Sequence, residues 1–260
     1  MSASIDDPLF YIPSLRVSLI RAADALSVAR RPILLSTLLL GTTLSLWHWI
    51  LPTFVWARIP RSFGLELLSE LVSGLLVALF GSVIALAAFD VLRGRSRMSD
   101  RTLFRQAFLL LPATCPTLLL YIAYAGLGIC FFLLPALLIL PTLCMMVHAS
   151  LFESPSGTES RSRDLTRGYR SQLCGVFTLF AALVGLCLYL KKVLISWLPQ
   201  SELGFSVLVN GLPYLFLILM LTVYYHDLRW IRGELTDPAD DGRESGIDRS
   251  SVVSPLENLA

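Results

Sequence analysis

From Gln106 to Phe152 the chain carries no Asp, Glu, Lys or Arg. A helix crosses the hydrocarbon core of a bilayer with about 20 apolar residues, so this run is too long for one span and suits two. Pro135, preceded by Leu133 and Leu134, is the natural break, because proline removes a backbone donor and disfavours helix just upstream. The run therefore predicts a tight helical hairpin, with spans over residues 117–134 and 136–152. Four further apolar runs frame it, at about 32–54, 70–92, 172–190 and 203–225, the last bent or locally opened at Pro213.

Between these runs the pattern turns amphipathic. Over residues 14–31, Leu15, Leu19, Ala22, Ala23 and Leu26 share one helical face, and Arg16, Arg21, Asp24 and Arg30 lie elsewhere on the wheel. That is the pattern of a helix lying at a membrane interface. The charged region is too long for a signal peptide, and no small-x-small cleavage site follows. Trp47, Trp49 and Trp56 form an aromatic anchor at the far end of the first span. A second short amphipathic helix starts at Ser99, which can cap it, and a polar, basic segment covers residues 153–171.

The predicted fold class is an all-α integral membrane protein: six transmembrane helices with short amphipathic interfacial helices on the cytoplasmic side. Its parts are a cytoplasmic N-terminus with an amphipathic helix (1–31), a transmembrane domain (32–232), and an acidic, Ser-, Gly- and Pro-rich tail (233–260) expected to be disordered.

Composition sharpens this reading. The 260 residues are 55% hydrophobic and only 15% charged, against about 25% charged in an average soluble domain. A net charge of +2 gives no broad basic excess for nucleic acid. Six spans leave 17 of the 21 Lys and Arg residues on the side of the termini. The positive-inside rule then puts both termini in the cytoplasm. The cysteines Cys115, Cys130, Cys144, Cys174 and Cys187 lie in or beside spans without metal-ligand spacing, and read as small apolar packing residues.

Gly74, Ala78 and Ser82 recur every four residues in the second span, with Gly81 and Ala85 as a second small pair. Small residues at this spacing let helix backbones approach closely in lipid, which predicts a central position for that span.

A threefold pattern runs through the cytoplasmic segments. Leu19-Ile20-Arg21, Leu103-Phe104-Arg105 and Leu165-Thr166-Arg167 each precede an outward span, and each returning span ends in an acid: Asp90, Glu153 and Asp227. An acid at a helix C-terminus faces the negative end of the helix dipole and needs a compensating cation. Arg21, Arg105 and Arg167 are the candidates, as ion pairs clamping the interfacial helices to the bundle. Three copies of a unit, amphipathic helix then outward and inward spans, would explain this. The alternative is coincidence, since basic loops beside spans are common to such proteins.

Two short segments carry a resemblance. The run Arg161-Ser162-Arg163-Asp164-Leu165-Thr166-Arg167-Gly168 resembles an R-S-x-x-L-x-x-G connector. Tyr225-His226-Asp227-Leu228-Arg229, followed by Arg232-Gly233-Glu234, is similar to a closing Y-x-D-L-R-x-R-x-E-G, with Gly233 and Glu234 reversed and His226 before the acid. Both belong to the membrane domain of glycerophosphoryl diester phosphodiesterases and to related stand-alone six-helix prokaryotic membrane proteins. The resemblance implies a multi-pass protein of the prokaryotic cytoplasmic (inner) membrane. The phosphodiesterase reaction itself belongs to a separate soluble barrel, which these residues do not contain.

No Walker-type loop, HExxH or GxSxG occurs. His148 and Ser150 are two residues apart on a helix and point apart, so they cannot form a nucleophile–base pair. No catalytic, cofactor or metal site is expected. Asp90, Glu153 and Asp227 could form a metal cluster or proton relay, but their place at helix ends beside arginines reads as structural ion pairing. Two functions remain. The first is a non-enzymatic scaffold, regulator or accessory factor touching anionic lipid head groups, a membrane-protein partner or a second copy of itself. The second is a small permease with a path at proline-interrupted helices (Pro116, Pro135, Pro141, Pro213).

Overall fold

Long uninterrupted apolar runs have few ways to satisfy their backbone other than helix, and the described residues contain helix and no strand. The computed structural model describes residues 14–51, 53, 63–94, 98–130, 139–153, 156–197 and 202–235, without the side chains of 63–67 and 125–130. The expected Trp56 anchor, the Pro135 break and the tail beyond 235 lie outside these residues.

Helix α1 (Leu15–Val28) starts at Ser14, whose hydroxyl accepts from the Val17 amide at 3.3 Å. It runs almost directly into α2 (Arg30–Ile50). One residue, Ala29 (φ −97°, ψ 32°), departs from helical geometry, yet its amide still bonds Ala25 O and its carbonyl still accepts from Ile33. The buried side of α1 is Ser18, Ala22 and Ala25, rotated from the expected leucine face, so Leu19 and Ala23 stay exposed.

Helix α3 (Phe63–Leu92) contacts α1, α2, α4 and α8, and its apolar window is two-thirds buried, the most of any long helix described. Ala78 and Ser82 are buried, and Ser82 Oγ donates to Ala78 O at 2.6 Å, closing its polarity on its own helix. A Cβ on Gly74 would meet Leu119 of α4 at 3.5 Å, an ordinary contact. The tightest approach lies elsewhere, between α2 and α8. A Cβ at Gly41 would collide with the Val207 carbonyl, and one at Gly211 would sit 2.9 Å from Thr37 O.

Two expectations need correction. Helix α4 (Asp100–Cys130) is one continuous helix through Pro112 and Pro116, so the amphipathic segment from Ser99 and the apolar run from 117 are a single element. Beside the prolines, which remove donors, Thr114 Oγ1 donates to Leu110 O at 3.1 Å and Thr117 Oγ1 to Ala113 O at 3.0 Å. The run entering the polar connector is also not a regular span. Helix covers 139–143, a turn interrupts it at Cys144 and Met145, and α5 (Met146–Phe152) completes it. Then come α6 (Thr158–Thr166), α7 (Arg170–Trp197) and α8 (Glu202–Ile231), the last unbroken through Pro213. Among the described residues five helices are long and apolar enough to cross a membrane: α2, α3, α4, α7 and α8. The helix over Ile139–Phe152 is shorter.

Candidate functional site

The three helices that return toward the α1 side, α3, α5 and α8, end alike in sequence: Phe89-Asp90, Phe152-Glu153 and His226-Asp227. An aromatic ring one position before an acid puts carbon into the bundle and a charge at its rim. The rings meet. Phe89 stacks on Phe152 at 4.1 Å between centroids, lies edge-on to His226 at 5.7 Å, and Phe152 stacks on Tyr225 at 5.5 Å. Offset and edge arrangements of this kind add to the stability from area burial alone. The three helix ends are thus held at one end of the bundle.

Asp227 has no exposed surface, and Arg21 of α1 donates a charge-assisted hydrogen bond to its Oδ1. His226 Nδ1 lies 3.3 Å from the same oxygen and 3.4 Å from Arg21 Nη2. Desolvation of a carboxylate is costly, and the arginine offsets it only because the geometry is direct.

Glu153 is served differently from the expectation. Arg161, not Arg167, reaches it, with Nε at 2.8 Å and Nη2 at 3.1 Å. The Tyr225 hydroxyl also donates to Glu153, and Arg229 Nε stands 3.6 Å away. Arg161 turns its other edge to Glu234, with Nη1 at 2.9 Å, and Arg229 Nε reaches Glu234 at 3.3 Å while its guanidinium lies over the Tyr225 ring. Two arginines and two glutamates therefore form one closed, neutral network. Burial pushes the Glu234 carboxyl up, but hydrogen bonds and charge from Arg161, then Arg229, outweigh it and hold its pKa below the ordinary 4.5. The hydrogen bond that Arg161 donates to Glu234, against a smaller opposing effect of burial, holds the guanidinium above its ordinary value.

Asp90 is buried at the same end. Arg105 and Arg167 are exposed and make no ion pair among the described residues. The reasons are local. On the first turns of α4 the buried positions are Leu103 and Ala107, and Arg105 midway between them faces the other way. Arg167 stands past the end of α6 in extended backbone, where Gly168 at φ 91° turns the chain outward. Arg161, two turns earlier, takes the place expected for it.

The break in the apolar helix is closed by the same connector. Ser162 Oγ donates to Thr142 O at 2.9 Å and accepts from the Met145 amide at 3.1 Å, and Thr166 Oγ1 donates to Thr142 O at 3.1 Å. A polar helix thus satisfies the backbone groups that the interruption frees. Arg232 donates to the Asp164 carbonyl from the other side. Each position of the connector motif has a place: Arg161 in the network, Ser162 at the break, Leu165 fully buried, Gly168 at positive φ. Gly233, at φ 68°, similarly turns Glu234 back onto Arg161.

The remaining candidates do not assemble. His148 Nε2 meets Thr222 Oγ1 at 3.0 Å, whereas Ser150 Oγ donates to its own helix at Val147 O, 2.8 Å. Among the described residues no group of three or more His, Cys, Asp or Glu stands close enough to hold a metal ion. The sequence reading missed Arg161, Glu234, Tyr225 and Ser162. All four lie inside the two motif segments, and the paired occurrence of charge at both was the signal that could have joined them.

Comparison with protein-family models, curated proteins and solved structures finds no match to this chain.

Proposed function

We propose that the chain is a six-span membrane protein with both termini in the cytoplasm, acting without catalysis as a scaffold, regulator or accessory factor at the cytoplasmic face. The helix over Ile139–Phe152 counts as the fourth span in this reading, and α1 and α6 are its interfacial helices. The resemblance of the two motif segments to stand-alone six-helix prokaryotic proteins supports an inner-membrane location. One observation carries the proposal: the ion pairs joining different helices gather at one end of the bundle, while several polar groups within the spans close on their own helices or each other. Thr37 donates to Ile33 O at 2.8 Å, Thr43 to Leu39 O at 2.8 Å, and Asn210 to Ser45 Oγ at 3.0 Å. A substrate path would leave such groups turned toward a cavity.

A permease is favoured by one feature, the interrupted helix at 144–145, since transporters use broken helices at their sites. Here Ser162 and Thr166 take up the freed Thr142 carbonyl. Two experiments separate the readings. The first measures uptake of amino acids, sugars and ions into sealed proteoliposomes, and we expect none above empty vesicles. The second places cysteine crosslinkers at exposed Arg163 of α6 and Arg167 just past it in native membranes, where a discrete adduct with a partner is expected. Solute accumulation together with no adduct would replace the scaffold by the permease.

A further inference from the structure

Helices α1, α7 and α8 leave a groove of about 250 Å³ between them, partly open to the outside and lined almost wholly by carbon. Its walls include Leu19, Ala23 and Leu26 of α1 and Leu183 of α7, and along α8 it extends from Met220 to Leu212. Eight residues of helix rise about 12 Å, so the groove runs with the bundle axis rather than across it. Its α1 end lies beside the Arg21–Asp227 pair, at the charged rim. A bilayer of the orientation proposed above would put that rim at the head groups and Leu212 within the acyl region.

Cations stand at this end. Arg16 is one turn before Leu19 on α1, and Arg30 follows Leu26 by four residues at the junction with α2, so the two flank the α1 wall of the groove. Both are exposed, and neither has an ion-pair partner among the described residues, whereas Arg21 and Arg31 are engaged with Asp227 and Asp100. Asp24, the acid of α1, occupies a neighbouring face of the helix. An apolar slot along the membrane normal with unpaired arginines at its head-group end is complementary to one molecule type, a phospholipid with an anionic head group.

We propose that the α1–α7–α8 groove is a binding site for a single anionic phospholipid, one acyl chain lying along α8 and the head group against Arg16 and Arg30. The inference rests on the proposed membrane orientation and deepens the reading of anionic lipid contact. It gives α1 a reason to keep Leu19 and Ala23 uncovered by protein. It also supplies the cover for one side of α7, which is sparsely packed in the bundle.

Native mass spectrometry of the full chain tests it, after exchange into detergent containing equal phosphatidylglycerol and phosphatidylcholine of identical acyl chains. The wild type is expected to retain one phosphatidylglycerol per chain. Ala23→Trp, filling the groove from α1, should cut that adduct about tenfold, and Leu183→Trp should do the same from α7, so that misfolding of one variant leaves the other to decide. Leu109→Trp, on the exposed side of α4, should retain it. Arg16→Gln with Arg30→Gln should lower the preference for phosphatidylglycerol about thirtyfold, from the usual attraction per surface cation. Absence of a retained lipid, retention by both tryptophan variants equal to that of the wild type, or no head-group preference in the wild type would overturn the site. A dimer abolished by both variants would also overturn it, assigning the groove to a second copy. None of these outcomes alters the vesicle uptake result, which decides the scaffold reading separately.

Discussion

Asp227 and Arg21 are 206 positions apart and meet in a setting with almost no water around the acid. Removing either member of such a buried pair typically costs about 3–5 kcal/mol, because the survivor stays desolvated without a partner. Asp227→Arg is therefore expected to lower the melting temperature in detergent sharply. Adding Arg21→Asp should recover most of the loss, and a double variant no better than the single would rule out a direct pair. Glu234 gives a pH signature. Its folded pKa is depressed, so its contribution is fully present above about the ordinary 4.5 and fades as pH falls through the lower folded value. Glu234→Gln should cost about 1 kcal/mol at pH 7 and converge on the wild type once the pH falls below the depressed folded value, read from melts across that range. At this scale the sequence showed which acids need partners but not which arginines answer. Arg161 and Arg167 both lie in a basic segment, but Arg161 sits within α6, whereas Arg167 follows its end, where Gly168 turns the chain at φ 91°.

At the scale of elements, composition located the apolar helices well and their joints poorly. The windows for α2, α3, α7 and α8 follow directly from apolar runs that have no other way to satisfy their backbone in lipid. The amphipathic start of α4 was read as separate because its polar pattern differs from the run that follows, yet nothing in residues 106–116 breaks the helix. Conversely, Cys144 and Met145 carry no breaking signal; the interruption is stabilised by Ser162 and Thr166 from the next element, information a local pattern does not hold. Helix contacts were similarly half legible. The small-residue ladder Gly74, Ala78 and Ser82 marks a central helix, but Gly74 has room for a methyl group, whereas Gly41 has none, facing a backbone carbonyl that cannot swing away. Gly41→Ala should therefore destabilise the α2–α8 pair by several degrees in a detergent melt, and Gly74→Ala should change it little. The reverse order would mean that the α3 ladder, not the α2–α8 crossing, fixes the closest packing.

For the whole molecule, the ion pairs mark one end of the bundle without fixing its side of the membrane. Arg21–Asp227, Arg31–Asp100 and the Arg161–Glu153–Glu234–Arg229 network lie where α1, α4, α6 and the end of α8 begin or finish. The sidedness comes from counting: 17 of 21 basic residues fall at that end if the chain crosses six times. The retention of Lys and Arg in the cytoplasm then orients it. The crossing by Ile139–Phe152 is the step on which this depends, because five spans instead of six would put the two ends of the chain on opposite sides and divide the basic connectors between them. Reporter fusions at Ser62 and Gln200 should read external, and those at Ser96, Ser156 and Ala260 internal. Ser156 is the decisive site, since it follows the interrupted helix directly. An external reading there, with Ser96 internal, would show that the run from 106 to 152 crosses once and that the broken helix is re-entrant, leaving the Glu153 network on the outer surface and the proposed cytoplasmic role without its site.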